Sequence, residues 1–206
     1  LSIIYLIATV TFIGGLKMLG HPETAKRGNM IAASGMILAI LGTIFLTENT
    51  APTFIYVLIA AAIALGGIIG WFIAIKVEMT KMPELVSLFN GFGGASAARI
   101  GLIEFSKIGD STQTNTTLAA IIIGSLTFSG SLVAWAKLNG TMRSLIKLPM
   151  YNLINKIVLI AIVVFAAYLV LSGSDSQLFI NLLLESALIN GYLLVIPIGG
   201  ADIPVV

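Results

Sequence analysis

The chain has 206 residues, 58% of them hydrophobic and 10% charged, where a soluble globular domain carries roughly 25% charge. Its mean hydropathy is +1.06. A formal charge of +2 from dispersed Lys and Arg excludes a nucleic-acid footprint, zero Cys excludes disulfides, thiolate metal sites and thiol nucleophiles, and one His excludes a multi-histidine metal site within this chain.

Crossing about 30 Å of hydrocarbon takes about 20 residues of helix. Runs of that length fall at residues 1–20, 29–47, 52–76, 83–107, 116–138, 152–172 and 177–197. Buried helices of a soluble protein would need polar sequence to cover them, and there is almost none. The sequence therefore predicts an all-α polytopic transmembrane bundle of about seven complete helices in the lipid bilayer, with no soluble domain of its own.

The first run begins directly on apolar residues, without Met or a charged leader, so no cleavable signal peptide is read and the chain reads as a fragment at both ends. It leads into His21-Pro22-Glu23-Thr24, where His21 is expected as a loop or cap residue. Pro52, Pro83 and Pro204 stand where first helical turns would begin and an N–H is not needed. After the seventh run, Gly199-Gly200-Ala201-Asp202-Ile203-Pro204 reads as a turn opening an eighth helix that Val206 cuts short.

Basic residues alternate between connections. Lys17, Lys26 and Arg27, then Lys76 and Lys81, then Lys137, Arg143, Lys147 and Lys156 flank the first, third and fifth; the second and sixth carry Glu48 and Asp175, and only Lys107 and Arg99 break the pattern. Cytoplasmic loops collect Lys and Arg, so the N-terminus is expected outside and the odd connections in the cytoplasm. Small residues recur at helical spacing, as Gly66 with Gly70, Gly91 with Ala95, Gly94 with Ala98 and Gly130 with Ala134, which predicts close helix packing. Residues 81–86 and 201–206 echo one another weakly as helix starts.

No G-x-G-x-x-G or Walker pattern occurs, and Asn90-Gly91-Phe92-Gly93-Gly94 lies inside a span without a following Lys, so no nucleotide is expected on this chain. Polar groups within the spans are the informative ones, because hydrocarbon penalises them unless they pair or line a wet path. Asn90 lies seven residues after Pro83 and Ser131 six before Lys137, which puts both about 9–10 Å below the same membrane edge at about 1.5 Å per residue. Thr127 and Ser129 add hydroxyls nearby. The bland alternative is that these groups bridge helices or return their hydrogen bonds to the preceding turn. Arg99 and Glu185 share a depth on the other side and are expected to form an intramembrane ion pair between the fourth and seventh helices; the alternative is that Arg99 snorkels outward.

Four blocks in order resemble the membrane domain of the beta subunit of proton-translocating NAD(P) transhydrogenases. They are residues 21–29, residues 77–94 from Val77-Glu78-Met79-Thr80-Lys81-Met82-Pro83-Glu84 to Gly94, residues 126–138 from Leu126-Thr127-Phe128-Ser129-Gly130-Ser131 to Leu138, and residues 197–206. The resemblance implies that residues 1–206 form a proton-translocating transmembrane domain, in an inner (plasma) membrane complex that transfers hydride between NADH and NADP⁺. It implies NAD(H) and NADP(H) on soluble domains elsewhere in the complex, and no cofactor on this chain. Implied partners are the alpha subunit with its membrane helices, the NADP(H)-binding domain of the same parent chain, and a second copy of the complex in a homodimer.

By the same resemblance, Asn90 stands where many relatives carry a His of the proton path, Ser131 matches a hydroxyl on the adjoining helix, and Glu84 and Asp202 match acids at the cytoplasmic mouth. An amide does not titrate near pH 7; for relatives with Asn here, the resemblance implies a titrating group on a partner subunit. Arg99 and Glu185 are no part of the family pattern. The residues alone fit two other classes: a secondary transporter, with a substrate-sized cavity and more midplane polar groups, or a structural anchor subunit tolerant of change at Asn90 and Ser131.

Overall fold

A computed structural model describes residues 2–46, 52–105, 111–142, 150–172 and 176–198. Among the described residues the chain forms seven α-helices: α1 (Ser2–Leu19), α2 (Pro22–Leu46), α3 (Thr53–Lys76), α4 (Met82–Phe105), α5 (Ser111–Leu138), α6 (Tyr151–Ser172) and α7 (Gln177–Val195), with a 3₁₀ turn at Met79–Lys81 before α4. Each predicted span is one of these helices, and the protein is an all-helical, polytopic one. The start of an eighth helix, Asp202 and Pro204 lie outside the described residues.

The helices α2 and α5 begin earlier than their apolar runs. Pro22 opens α2 with Glu23 in its first turn, a proline and an acid where the N–H is not needed and the dipole favours negative charge. Hydropathy marks where lipid begins, whereas the helix starts in the polar interface. Thr24 Oγ1 donates to the Met18 carbonyl at 2.7 Å, and the Thr24 N–H to the His21 carbonyl at 3.1 Å. His21 thus sits in the turn joining α1 to α2, as expected.

Among the described residues, five helical stretches are long and apolar enough to cross a bilayer: Glu23–Leu46, Thr53–Lys76, Thr114–Leu138, Tyr151–Ser172 and Gln177–Val195. Large apolar side chains cover the outside, Leu171 at 87% and Phe45 at 77% exposure among them. Such surface is an aggregation liability in water and the ordinary condition in lipid.

The chain divides into two compact units, Leu1–Ile75 and Lys76–Val206. In the first, α1 and α2 pack antiparallel: a Cβ on Gly15 would meet the Gly28 carbonyl at 2.7 Å, and one on Gly42 the Ile4 side chain at 2.9 Å. Backbones that close exclude side chains from the contact, the small-residue mode of helix association in membranes. No residue of α3 is buried, and a methyl added to Gly66 or Gly70 would have no atom within 4 Å. The spacing seen in the sequence there serves no contact among the described residues.

In the second unit α5 is central, with α4 on one side and α7 on another; α6 packs on α7. Buried Gly91, Gly94, Ala98, Gly101 and Phe105 form the packed stripe of α4. A Cβ on Gly94 would lie 2.7 Å from the Gly124 carbonyl, so these helices touch backbone to backbone. The pairs Gly91 with Ser131, Gly94 with Gly124 and Gly101 with Ile121 run in opposite senses, so α4 and α5 are antiparallel. Gly130 meets Val195 and Gly191 meets Leu126, so α5 and α7 are parallel. A core of Phe105, Leu118, Ile121, Ile162, Leu169, Ile180 and Leu183 fills the end far from Asn90, with Phe165 and Phe179 edge to face at 6.0 Å.

The expected ion pair is not formed. Arg99 and Glu185 are both exposed, and among the described residues neither joins an ion pair, while Lys81 and Glu78 form one at 3.3 Å. Matched depth fixes height in the membrane but not direction around the helix. Arg99 stands off the packed stripe of α4, Glu185 off the buried residues of α7, and α5 lies between the two helices.

Candidate functional site

Near the end of the second unit that holds the start of α4 and the ends of α5 and α7 is a cavity of about 700 Å³. Its wall includes Pro83, Ser87 and Asn90 of α4, Thr127 and Ser131 of α5, and Val195 at the end of α7. Three consecutive turns of α4 bring Pro83, Ser87 and Asn90 onto one face, as the 3.6-residue period requires.

Asn90 and Ser131 meet across the helix pair. Asn90 Nδ2 donates to Ser131 Oγ at 3.0 Å, and Ser87 Oγ donates to the Ser131 carbonyl at 2.9 Å. Gly91 permits this approach: a Cβ there would sit 3.2 Å from that of Ser131. Asn90 uses one N–H on Ser131, and no other protein partner joins its side chain among the described residues. Its carbonyl oxygen and second N–H therefore remain available to water in the cavity. Ser131 itself is buried.

The neighbouring hydroxyls divide. Thr127 lines the cavity, whereas Ser129 returns its hydrogen bond to the Ser125 carbonyl at 3.1 Å, the local alternative noted above. Glu84 lies half-buried in the first turn of α4, beside Pro83 at the cavity rim, where the helix dipole favours a carboxylate. Asp202 lies outside the described residues.

Three polar features were not singled out from the sequence. Ser87 is one turn before Asn90, and a serine in a helix gives no sign of whether it bonds its own backbone or a neighbour. Asn190 is fully buried, and its side-chain nitrogen and oxygen, like Ser125 Oγ, lack a partner among the described residues; buried groups of this kind are where ordered water binds. Lys137 is buried and donates from Nζ to the carbonyls of Val195 at 3.1 Å, Ile198 at 2.7 Å, and Ile196.

The family profile described as NAD(P) transhydrogenase beta subunit matches residues 1–206. The chain belongs to the NAD(P) transhydrogenase beta subunit family. Two relatives from Rhodospirillum rubrum, both named NAD(P) transhydrogenase subunit beta, are each 36% identical to it over 214 aligned positions, covering 98% of this chain and 45% of the relative. The chain thus spans about half the length of the curated relatives it matches. A cavity of this size also suits the transporter reading, and membership of a transhydrogenase family favours the other.

Asn90 to Gly94 is continuous α-helix, with Gly91 against Ser131 and Gly94 against Gly124, so this stretch forms no phosphate-binding turn.

Proposed function

We propose that this chain is the proton-translocating membrane domain of a transhydrogenase that couples hydride transfer between NADH and NADP⁺ to proton movement across the inner membrane. Both nucleotides are substrates of soluble domains beyond this chain, one of them following in the same parent chain and facing the cytoplasm. The alpha subunit contributes further membrane helices, and the complex is a homodimer with the N-terminus of this chain outside.

The observation that carries this reading is the Asn90–Ser131 hydrogen bond on the wall of the 700 Å³ cavity. An amide neither gains nor loses a proton near pH 7. Asn90 serves instead to hold and orient water, with a carbonyl oxygen to accept and an N–H to donate, while Ser131 fixes its rotamer. The group that takes up and releases the proton is supplied by the alpha subunit's helices. Glu84 lies at the cytoplasmic mouth and attracts cations to it, and the family resemblance gives Asp202 the same role. Coupling requires the path to open to one side at a time, in step with two states of the soluble domain that interact differently with this one.

Asn90→Leu is the test, since it keeps similar bulk and removes both hydrogen-bonding atoms. In the assembled enzyme it abolishes proton-coupled transhydrogenation while isolated soluble domains still exchange hydride. Proton pumping at the parental rate in that variant refutes the role.

A further inference from the structure

Lys137 is the one charged side chain among the described residues that is buried, at 4% exposure. An ammonium has three N–H donors, and three carbonyls receive them: Val195, Ile196 and Ile198. These lie at and just past the C-terminal end of α7, at the negative end of the helix dipole; the Val195 carbonyl also accepts from the Ile198 N–H at 3.1 Å. A buried lysine is costly unless its charge is hydrogen-bonded. Here the whole hydrogen-bonding capacity of the ammonium is spent on one helix end.

Two features tie this contact to the cavity. Val195 and Ile198 both line it, so the lysine holds part of the wall that faces Asn90 and Ser131. Lys137 also shares α5 with Ser131, six residues away, or about 9 Å along the axis. The chain runs from Ile198 directly into Gly199, Gly200, Ala201 and Asp202. One side chain therefore fastens the helix bearing Ser131 to the point where the chain leaves α7.

We propose that Lys137 is a positioning residue for coupling: it locks the end of α7 to α5, so that a displacement of the chain beyond Ile198 is transmitted to the cavity wall. This rests on the function proposed above. Without the ammonium, the Ile196 and Ile198 carbonyls lose this donor, Val195 keeps only the Ile198 N–H, and the end of α7 is held to α5 by packing alone, through Gly130 against Val195. Protons and hydride then no longer move in fixed proportion.

The experiment uses the complete complex in proteoliposomes, with hydride transfer and proton uptake followed together. Lys137→Met preserves side-chain length and removes the donors. The expected result is a loss of proton uptake per hydride relative to the parental complex, the signature of two sites that no longer share a coupling free energy, with Lys137→Arg restoring the ratio. The ratio is independent of how much enzyme folds, so a purely structural role leaves it unchanged. A parental ratio in Lys137→Met overturns the proposal. If Asn90→Leu blocks proton uptake in the same preparation, only the clamp has failed; if Asn90→Leu pumps normally, the function proposed for the cavity has failed. Should Lys137→Met not assemble, acetylation of the parental complex decides. Lys137 resists the reagent while Lys81, exposed beside Glu78, is consumed, and equal reactivity of the two overturns the clamp.

Discussion

Ser131 holds two side chains of α4 at once, the Asn90 amide on its hydroxyl and the Ser87 hydroxyl on its carbonyl. Ser131→Ala removes the first and leaves the second. The freed amide of Asn90 then competes for water in the cavity without a fixed direction. One net hydrogen bond is worth about 1 kcal/mol, so coupled turnover in membrane vesicles should fall roughly fivefold, with Ser131→Thr retaining most of the rate. Parental turnover in Ser131→Ala would show that Asn90 needs no such partner. That Asn90 and Ser131 share a depth was legible in the sequence, because Pro83 and Lys137 mark the same edge and helical rise is constant. Ser87 was not, since its partner is a backbone carbonyl on another helix and no residue type announces a carbonyl. The clamp by Lys137 was hidden for the same reason: its position reads as a membrane edge, and its three partners are main chain.

At the scale of helices, spacing of small residues tells that a helix can be approached closely, not which one approaches it. Gly94 and Ala98 meet α5, whereas Gly66 and Gly70, equally spaced, meet nothing among the described residues. The failure of Arg99 and Glu185 to pair is the same lesson for charges, because depth is a coordinate along the axis and contact depends on the angle around it. Adjacent glycines of α4 make the point testable. A methyl on Gly93 enters open space, while one on Gly94 lands 2.7 Å from both the Gly124 carbonyl and the Phe128 nitrogen. Gly94→Ala should therefore cost about 1–3 kcal/mol by overpacking, and Gly93→Ala should be neutral or stabilising by up to about 1 kcal/mol through helix propensity. Thermal unfolding of the purified complex in detergent compares them. Equal midpoints would contradict the backbone contact of α4 with α5.

Across the molecule, direction is what links fold to function. Within the second unit, α4 runs against α5, α5 runs with α7, and α6 runs against α7, for Asn155 reaches the Leu193 carbonyl at 3.4 Å near one end and Phe165 meets Phe179 near the other. This is the alternation that consecutive membrane crossings require, and it collects the start of α4 and the ends of α5 and α7 at one end together with Lys81, Lys137 and Lys156. Lysine at a membrane edge marks the cytoplasmic face, so the Asn90 cavity is expected to face the cytoplasm, the side on which the function proposed above puts the nucleotide domain. The chain has no native Cys, which makes the orientation directly measurable with single cysteines and a membrane-impermeant maleimide, using the complex without them as the background. Lys81→Cys should react in inverted vesicles and stay silent in intact cells, and Gln177→Cys, at the opposite end, should do the reverse. Labelling of Lys81→Cys from outside would turn the cavity to the wrong face of the membrane, and Asn90 would then have no route to the domain whose state it is proposed to follow.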